Sequence, residues 1–187
     1  MEGARKRLER LLANHCAPVI CRKKAANLIV AGQEFLGYLP EVLEGGGVSW
    51  VNLCGCGKCC HLLFYDRERL ENYLNKERHR EFLKSYGYQE RSLAGKLSRL
   101  AERYEGYQKK EGKFPHEIGL FLEYPLEDIK GFIAHQGKDA LESGYWKVYG
   151  DVDQARETFR LYDGLRQTLT SLVEAGISLR ECAAEAW

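Results

Sequence analysis

Residues 112–151, GKFPHEIGLFLEYPLEDIKGFIAHQGKDALESGYWKVYGD, form the stretch that decides the fold. Two runs within it, 116–124 and 145–149, have the composition of β-strands. About twenty residues of helical pattern join them, which is roughly what a crossover between parallel strands needs. We therefore predict a βαβ-like unit with polar residues at its strand ends, where functional groups often lie: His116 starts the first run and Asp151 follows the second.

Composition limits the class of protein. The chain has 187 residues, with 28 basic and 27 acidic residues interspersed and a net charge of +1. That balance argues against a nucleic-acid-binding surface and against a polybasic membrane anchor. No apolar stretch approaches the roughly 18 residues that a membrane span requires, and the N-terminus does not have the pattern of a signal peptide. We expect a cytoplasmic protein that binds neither nucleic acid nor membrane.

The rest of the chain predicts helices around a small sheet. Residues 48–53 and 61–65 read as a hairpin with a cysteine-rich connection, and Asp66, Ser92 and Asp151 stand before helical patterns as caps. We predict a single domain over 1–187 of the α/β class, with α+β as the alternative. It would have a small mixed sheet of about four strands and several flanking helices.

Cys16 is the candidate nucleophile. Asn14 and Pro18 predict a helix start, because Asn caps helices and Pro is favoured in the first turn, and the helix would run to about Leu36. Cys16 would then lie at a helix N-terminus, where the dipole and free N–H groups lower the pKa of a thiol. The competing interpretation is a small buried cysteine without a role in catalysis.

A cysteine nucleophile needs a base within hydrogen-bond reach and a third group that orients the base. The chain offers Cys16, then His116, then an acid, in the order found in papain-like and transglutaminase-like enzymes, whose order of elements it distantly resembles. Asp151 is the first choice for the orienting acid and Asp128 the second. The competing interpretation of His116 is a structural hydrogen bonder at the start of a strand.

A second candidate site is the cysteine-rich connection. It supplies soft ligands for zinc, copper(I) or an iron–sulfur cluster from Cys54, Cys56, Cys59, Cys60 and His61. One CxxC is present, whereas a structural zinc site generally pairs two. Metal binding, a redox CxxC and a merely cysteine-rich loop therefore remain alternatives.

The run 145–149 also carries an aromatic and basic set with Lys130. Alternation along a strand puts Lys147 and Tyr149 on one face and Trp146 on the other, so one of the two faces belongs to the core. The simpler interpretation of this set is a half-buried strand.

Two motifs carry a resemblance to a known family. The segment 114–133, FPHEIGLFLEYPLEDIKGFI, followed by 144–151, GYWKVYGD, resembles the signature of a largely anaerobic bacterial family known only as domain of unknown function 3793. The resemblance extends to 15–28, HCAPVICRKKAANL, and covers a core over about 14–165, leaving a C-terminal helical tail over 166–187.

The resemblance implies no activity, but it places the signature on particular positions. These are Cys16, Lys24, His116, Glu117, Gly119, Tyr124, Pro125, Asp128, Lys130, Gly131, Trp146, Lys147 and Tyr149. Members of the family commonly have Gly where this chain has Glu123. The cysteine-rich connection departs from the shared pattern, which makes it less expected that metal binding is a function shared by the whole family.

Three functions are carried forward as hypotheses. The first is a cysteine-dependent enzyme acting on an amide or thioester of a small-molecule or peptide-like substrate, without a cofactor, with helix N-terminal amides near Cys16 as the oxyanion site. The second is a protein that binds or handles a metal, zinc or iron, through residues 54–61. The third is a non-catalytic protein that binds a small molecule or a partner protein.

Overall fold

The computed structural model describes residues 3–89 and 92–184, apart from the side chain of Cys56. Helices surround a three-stranded antiparallel sheet, and a separate two-stranded ribbon follows it in the chain. The predicted α/β class is therefore confirmed. Within the described residues, no helix is both long and apolar enough to span a membrane.

The elements follow one another in this order along the described chain. The helices are α1 (Ala4–Ile20), α2 (Leu39–Val42), α3 (Arg67–Leu74), α4 (Glu77–Ser85), α5 (Leu93–Gln108), α6 (Ile118–Phe121), α7 (Leu126–Ala134), α8 (Val152–Glu174) and α9 (Leu179–Ala184), with a 3₁₀ helix at Gln33–Tyr38. The strands are β1 (Ala26–Gly32), β2 (Val48–Cys56), β3 (Cys59–Asp66), β4 (Glu142–Ser143) and β5 (Lys147–Val148).

The central strand of the sheet is β3, which pairs antiparallel with β1 on one side and β2 on the other. The predicted hairpin is confirmed as β2 and β3. Its turn contains Gly57 with φ +47°, a left-handed conformation that glycine adopts without strain. A register shift between Asn52 and Cys54 marks a bulge, and Leu53 and Cys54 consequently both face the same core.

The two faces of the sheet are covered by different helices. Successive residues of β3 point to opposite faces of the sheet. Leu62 and Phe64 point to one face, and Leu63 and Tyr65 point to the other. The first, the α1 face, is covered by α1, α8, α9 and the 3₁₀ helix. The second, the α5 face, is covered by α3, α4, α5, α6 and α7. Each face therefore encloses its own core.

The predicted βαβ unit was wrong. Residues 116–124 form the short helix α6 and a turn, and the run 145–149 contributes only the short strand β5, which pairs antiparallel with β4. The turn closes through the Tyr124 N–H, which donates to the Gly119 carbonyl at 2.9 Å. Residues 118–122 are all buried, so their continuous apolar character does not distinguish a strand from a buried helix.

The N-terminal helix also differs from the prediction. α1 is one continuous helix that places Leu8, Leu12 and Cys16, spaced four residues apart, on a fully buried stripe. The helix predicted over about 14–36 instead comprises the end of α1, strand β1 and part of the 3₁₀ helix. Lys24 and its predecessor donate their backbone N–H groups to the Pro18 carbonyl and end α1. Cys16 thus lies in the C-terminal part of a helix, not at its start.

The predicted caps are confirmed. The carboxylate of Asp66 accepts the Arg69 N–H at 2.9 Å at the start of α3, and Asp151 accepts the Gln154 N–H at 3.0 Å at the start of α8. The Ser92 hydroxyl accepts the N–H three residues later in α5. Residue 169 of α8 is buried in the α1-face core, so the predicted tail is part of the packed fold.

A third, smaller cluster joins the ribbon to α8. Trp146 and Val148 pack there with Ala155 and Tyr162. Helix α7 runs against the same ribbon at a position where a Cβ on Gly131 would lie 2.4 Å from the Cβ of Tyr149. Only glycine permits this approach.

We predict that Gly131→Ala lowers the free energy of unfolding by about 2 kcal/mol, because α7 and β5 must separate to admit the methyl group. Urea denaturation monitored by circular dichroism measures the change.

Gly164→Ala is the matched control, because Gly164 is also inside a helix and an added Cβ would meet nothing within 4 Å. There the gain in helix propensity should raise the free energy of unfolding by up to about 1 kcal/mol. Equal stability of the two variants would contradict the close contact between α7 and the ribbon.

Candidate functional site

A cavity of about 480 Å³ opens on the α5 face, beside α6, α7 and the ribbon. Its wall is largely aromatic. The rings that line it, which define the aromatic pocket, are those of Tyr104, Phe114, His116, Tyr124, Phe132 and Trp146.

The aromatic pocket gathers several residues that the sequence marks as candidates. His116, Tyr124, Asp128, Trp146 and Lys147 all line it. They come from the turn before α6, the turn after it, α7 and the ribbon. The signature motif therefore folds around one cavity, although not through the predicted strand ends.

His116 is a polar group of the pocket whose ring the described residues leave without a hydrogen bond. Its ring contacts Phe114 with centroids 5.2 Å apart and Phe132 with centroids 5.7 Å apart. Within the described residues, neither imidazole nitrogen has a hydrogen-bond partner. His116 is therefore positioned by apolar contacts and retains its capacity to donate and accept a hydrogen bond.

Asp128 is committed to the fold. The residue is only 4% exposed, and its carboxylate accepts the Trp146 indole N–H at 2.7 Å and the Tyr149 and Gly150 N–H groups at 2.8 Å each. These bonds satisfy a buried charge that would otherwise be costly. They also fix the Trp146 ring in the pocket wall, which is a role in construction rather than in orienting His116.

The basic and aromatic residues of the ribbon bind it to the loop after α7. Lys147 donates from Nζ to the Gly137 carbonyl, and the Tyr149 hydroxyl donates to the Lys138 carbonyl at 2.9 Å. Lys147 therefore lies at the pocket with one hydrogen bond already made. Lys130 is exposed on α7 and does not line the pocket.

The remaining acidic candidates serve the fold. Asp151 caps α8 and lies outside the aromatic pocket. Glu117 is fully buried, forms an ion pair with Arg103 and accepts the Tyr88 hydroxyl at 3.1 Å. Since Arg103 belongs to α5, this pair ties the start of α6 to α5.

The structure does not bring Cys16 and His116 together. Cys16 has no exposed surface and belongs to the α1-face core, whereas His116 lines a pocket on the α5 face, so the sheet lies between their two cores. Burial raises the pKa of the Cys16 thiol well above its ordinary range. The C-terminal part of a helix also disfavours a thiolate. A nucleophilic Cys16 stays a prediction that this geometry does not support.

Lys24 lies behind the pocket wall. The residue is 2% exposed, and its ammonium stands 5.2 Å from the Tyr124 ring centroid and 5.6 Å from that of Tyr162. Burial lowers the pKa of Lys24 to about 8, although Glu123 and Cys16 oppose that shift. Contact with two aromatic faces partly offsets the cost of burying the cation.

Glu123 occupies a backbone position that favours glycine. Its φ of +58° is left-handed, the conformation for which glycine is suited and which other residues adopt at a cost. Its carboxylate accepts the Ala25 N–H and pairs with the Arg69 guanidinium at 2.9 Å. These bonds connect the turn after α6 to the start of β1 and offset the backbone strain.

The described side chains of the alternative metal site do not converge on one point. Cys54 faces the α5-face core while Cys60 faces the α1-face core, and the His61 ring is hydrogen-bonded to the Tyr104 hydroxyl at 2.8 Å. Cys59 is disulfide-bonded, and the side chain of Cys56 lies outside the described residues. No three described His, Cys, Asp or Glu side chains converge on a point suitable for a metal ion.

Three rings of the pocket were missed by the sequence reasoning. Phe114 and Phe132 both lie inside the quoted motif, Phe114 just before His116 and Phe132 on α7. Their aromatic side chains were the signal that could have identified them as pocket residues. Tyr104 comes from α5, and no local pattern relates it to the motif.

We predict that iodoacetamide does not label Cys16 in the native protein at neutral pH, because the thiol is fully buried with a raised pKa. Peptide mass spectrometry compares labelling of the native protein with labelling in urea, where Cys16 should react completely. Labelling of native Cys16 within minutes would instead indicate the accessible thiolate that a nucleophile requires.

We also predict a pH-dependent contribution from Lys24. Its pKa falls from an ordinary 10.5 to about 8 on folding, so between these values the unfolded chain binds the extra proton. Stability gained from Lys24 therefore rises with pH across that window. The free energy of unfolding of the wild type minus that of Lys24→Met should increase by about 2 kcal/mol from pH 7 to pH 10.

Taking this difference cancels most of the titration of thiols and tyrosines, which both proteins share. Lys130→Met, at an exposed lysine, is the control and should show no comparable change with pH. A difference for Lys24→Met that is flat across the window would show that the ammonium is not buried.

Comparison with known proteins gives one match. Residues 12–183 match the family described as "Protein of unknown function (DUF3793)", which covers most of the chain. No curated protein and no solved structure matches the chain. The extent of the family match shows that the chain belongs to the DUF3793 family.

Proposed function

We propose that this protein binds a small aromatic molecule that carries no positive charge in the aromatic pocket. This proposal corresponds to the third sequence-based hypothesis, a non-catalytic protein that binds a small molecule. The observation that carries the proposal is an aromatic-walled cavity whose polar side chains include an imidazole, that of His116, without a hydrogen-bond partner among the described residues. A mostly apolar cavity with few polar groups is the usual form of a ligand site.

The size of the pocket supports a ligand of one or two fused rings. Its volume of about 480 Å³ lies within the range of roughly 300–1,000 Å³ that is common for small-molecule sites. Each ring pair adds about 0.5–1.5 kcal/mol beyond the burial of apolar area. Phe132, Trp146 and Tyr124 offer such surfaces to a planar ligand.

The charges at the pocket disfavour a cationic ligand. Asp128 has its oxygens occupied by three N–H donors, and Lys147 donates to a backbone carbonyl. A cationic ligand would have to enter a largely apolar cavity without an uncommitted carboxylate in its wall, which is costly, whereas the Lys147 ammonium retains its positive charge. His116 supplies one hydrogen bond to a hydroxyl, amide or ring nitrogen.

The wall is held in place before a ligand arrives. The hydrogen bond from Trp146 to Asp128 fixes one ring, and a Cβ on Gly144 would overlap Phe159, so the ribbon lies directly on α8. A site whose groups are already fixed loses less conformational entropy on binding. This preorganisation favours ligand binding as the role of the pocket.

The other hypotheses have weaker support. The enzyme hypothesis needs Cys16, which lies in the core of the opposite face, and the metal hypothesis needs Cys54 and Cys60, which face different cores. The pocket, by contrast, brings together residues of the signature motif that are far apart in the sequence.

Three naphthalene compounds of matched shape test the proposal. We expect 1-naphthalenemethanol to bind saturably by isothermal titration calorimetry. The cation 1-naphthylmethylammonium should bind at least about fivefold more weakly, because it introduces an uncompensated positive charge, whereas the anion 1-naphthoate meets the charge of Lys147 and should lose less affinity than the cation.

Three variants locate the binding. Phe132→Ala removes a pocket ring and should weaken binding of 1-naphthalenemethanol by at least about tenfold. Phe82→Ala is the matched control, because Phe82 is also half-buried on a helix, yet packs against Tyr86 away from the pocket. His116→Phe retains a ring and should reduce the preference for the alcohol over unsubstituted naphthalene.

The proposal fails if none of the three compounds binds saturably. It also fails if Phe132→Ala and Phe82→Ala weaken binding equally, since the ligand would then lie elsewhere.

A further inference from the structure

A second cleft, of about 860 Å³, lies between α4 and the start of α5, apart from the aromatic pocket. Its polar lining comes from the turn between α3 and α4, from α4, from the loop that follows it and from α5. The residues that define this basic cleft are Asn75, Arg80, Lys84, Tyr88, Gln89 and Lys96.

The basic cleft concentrates positive charge, and its cations have no acidic partner among the residues that the structure describes. Arg80, Lys84 and Lys96 line it, and no carboxylate of residues 3–89 or 92–184 lies within 4 Å of their charged nitrogens. Elsewhere on α3 and α5, Arg69 and Arg103 form close ion pairs with Glu side chains. An uncompensated cluster of this kind favours binding of an anion.

Lys96 is the most informative of the three cations. The residue is only 4% exposed, and its Nζ donates to the Asn75 side-chain oxygen at 2.8 Å. That acceptor is neutral, so the buried ammonium retains its charge and two further N–H donors. Glu71 acts on it from a greater distance, and burial, the main cause, lowers the pKa of Lys96. A buried cation is ordinarily paired with an anion.

The geometry of α4 adds two cations beside Lys96. Arg80 and Lys84 are four residues apart, which places them one above the other on the same side of the helix. The Tyr88 hydroxyl already donates a hydrogen bond to Glu117. Tyr88 therefore contributes its ring to the wall of the cleft and does not offer its hydroxyl as a donor to a ligand. An anion in the cleft would meet positive side chains from both α4 and α5.

We propose that the basic cleft binds a small polyanion that carries phosphate or carboxylate groups. Arg80 would bind two of its oxygens through the planar guanidinium, and Lys84 and Lys96 would contribute ammonium groups. This site is independent of the aromatic pocket and of its ligand.

Isothermal titration calorimetry with pyrophosphate and with citrate tests the site at pH 7 and constant ionic strength. We expect saturable binding of at least one of the two. Tighter binding of pyrophosphate identifies a phosphate ligand, and tighter binding of citrate identifies a polycarboxylate.

The variant Arg80→Gln/Lys84→Gln should weaken binding by at least about tenfold, since it removes two charge-assisted contacts. Both residues are exposed, so the fold should survive the change, which circular dichroism verifies. Lys58→Gln/Lys130→Gln, which removes two exposed lysines outside the cleft, is the matched control and should bind as the wild type does.

Lys96→Met should also weaken binding by about tenfold or more, provided that the variant folds. Because the exposed double variant does not depend on that condition, the proposal stays testable if Lys96→Met unfolds. The absence of saturable binding of both polyanions up to about 10 mM, or undiminished binding by Arg80→Gln/Lys84→Gln, would overturn the proposal.

Discussion

The carboxylate of Asp128 is the constraint on which the region around the aromatic pocket depends. One buried side chain on α7 holds the Trp146 indole and the backbone of Tyr149 and Gly150 at 2.7–2.8 Å. The ribbon strand β5 has only two residues, so its own ladder contributes little stability. Hydrogen bonds from a charged acceptor, which are stronger than neutral ones, replace that ladder. The pocket wall is therefore held by a side chain rather than by secondary structure.

The sheet divides the molecule into two cores, and a junction at its edge connects them. Lys24 follows α1, which belongs to the α1 face, and its ammonium reaches the back of Tyr124, a ring of the pocket on the other face. Glu123, next to Tyr124, accepts from the backbone just before β1. Through this junction, residues 15–28 contribute to the structure around the pocket. Residues near Cys16 support the pocket from behind even though the thiol does not enter it.

Much of the fold could be read from the sequence, because local signals decided it. The caps Asp66 and Asp151 and the hairpin of β2 and β3 follow from side-chain chemistry and alternation within a few residues. Residues 118–122 could not be read, because a buried apolar run has no polar face from which to infer its period. For the site, His116 and Trp146 were found from the motif. The motif could not show that they line one pocket, because this depends on long-range packing of the ribbon against α7.

The motif over 114–133 and 144–151 supplies most of the wall of the aromatic pocket. His116, Tyr124 and Trp146 supply rings, while Gly119 and Gly131 allow α6, α7 and the ribbon to approach more closely than a side chain would permit. A catalytic signature would be expected to place at least two reactive groups within hydrogen-bond reach. This motif instead commits Glu117 and Asp128 to the fold, and the imidazole of His116 faces a largely apolar cavity without a hydrogen-bond partner among the described residues. This arrangement supports the proposed binding of a ligand by shape and hydrogen bonding more than it supports acyl transfer.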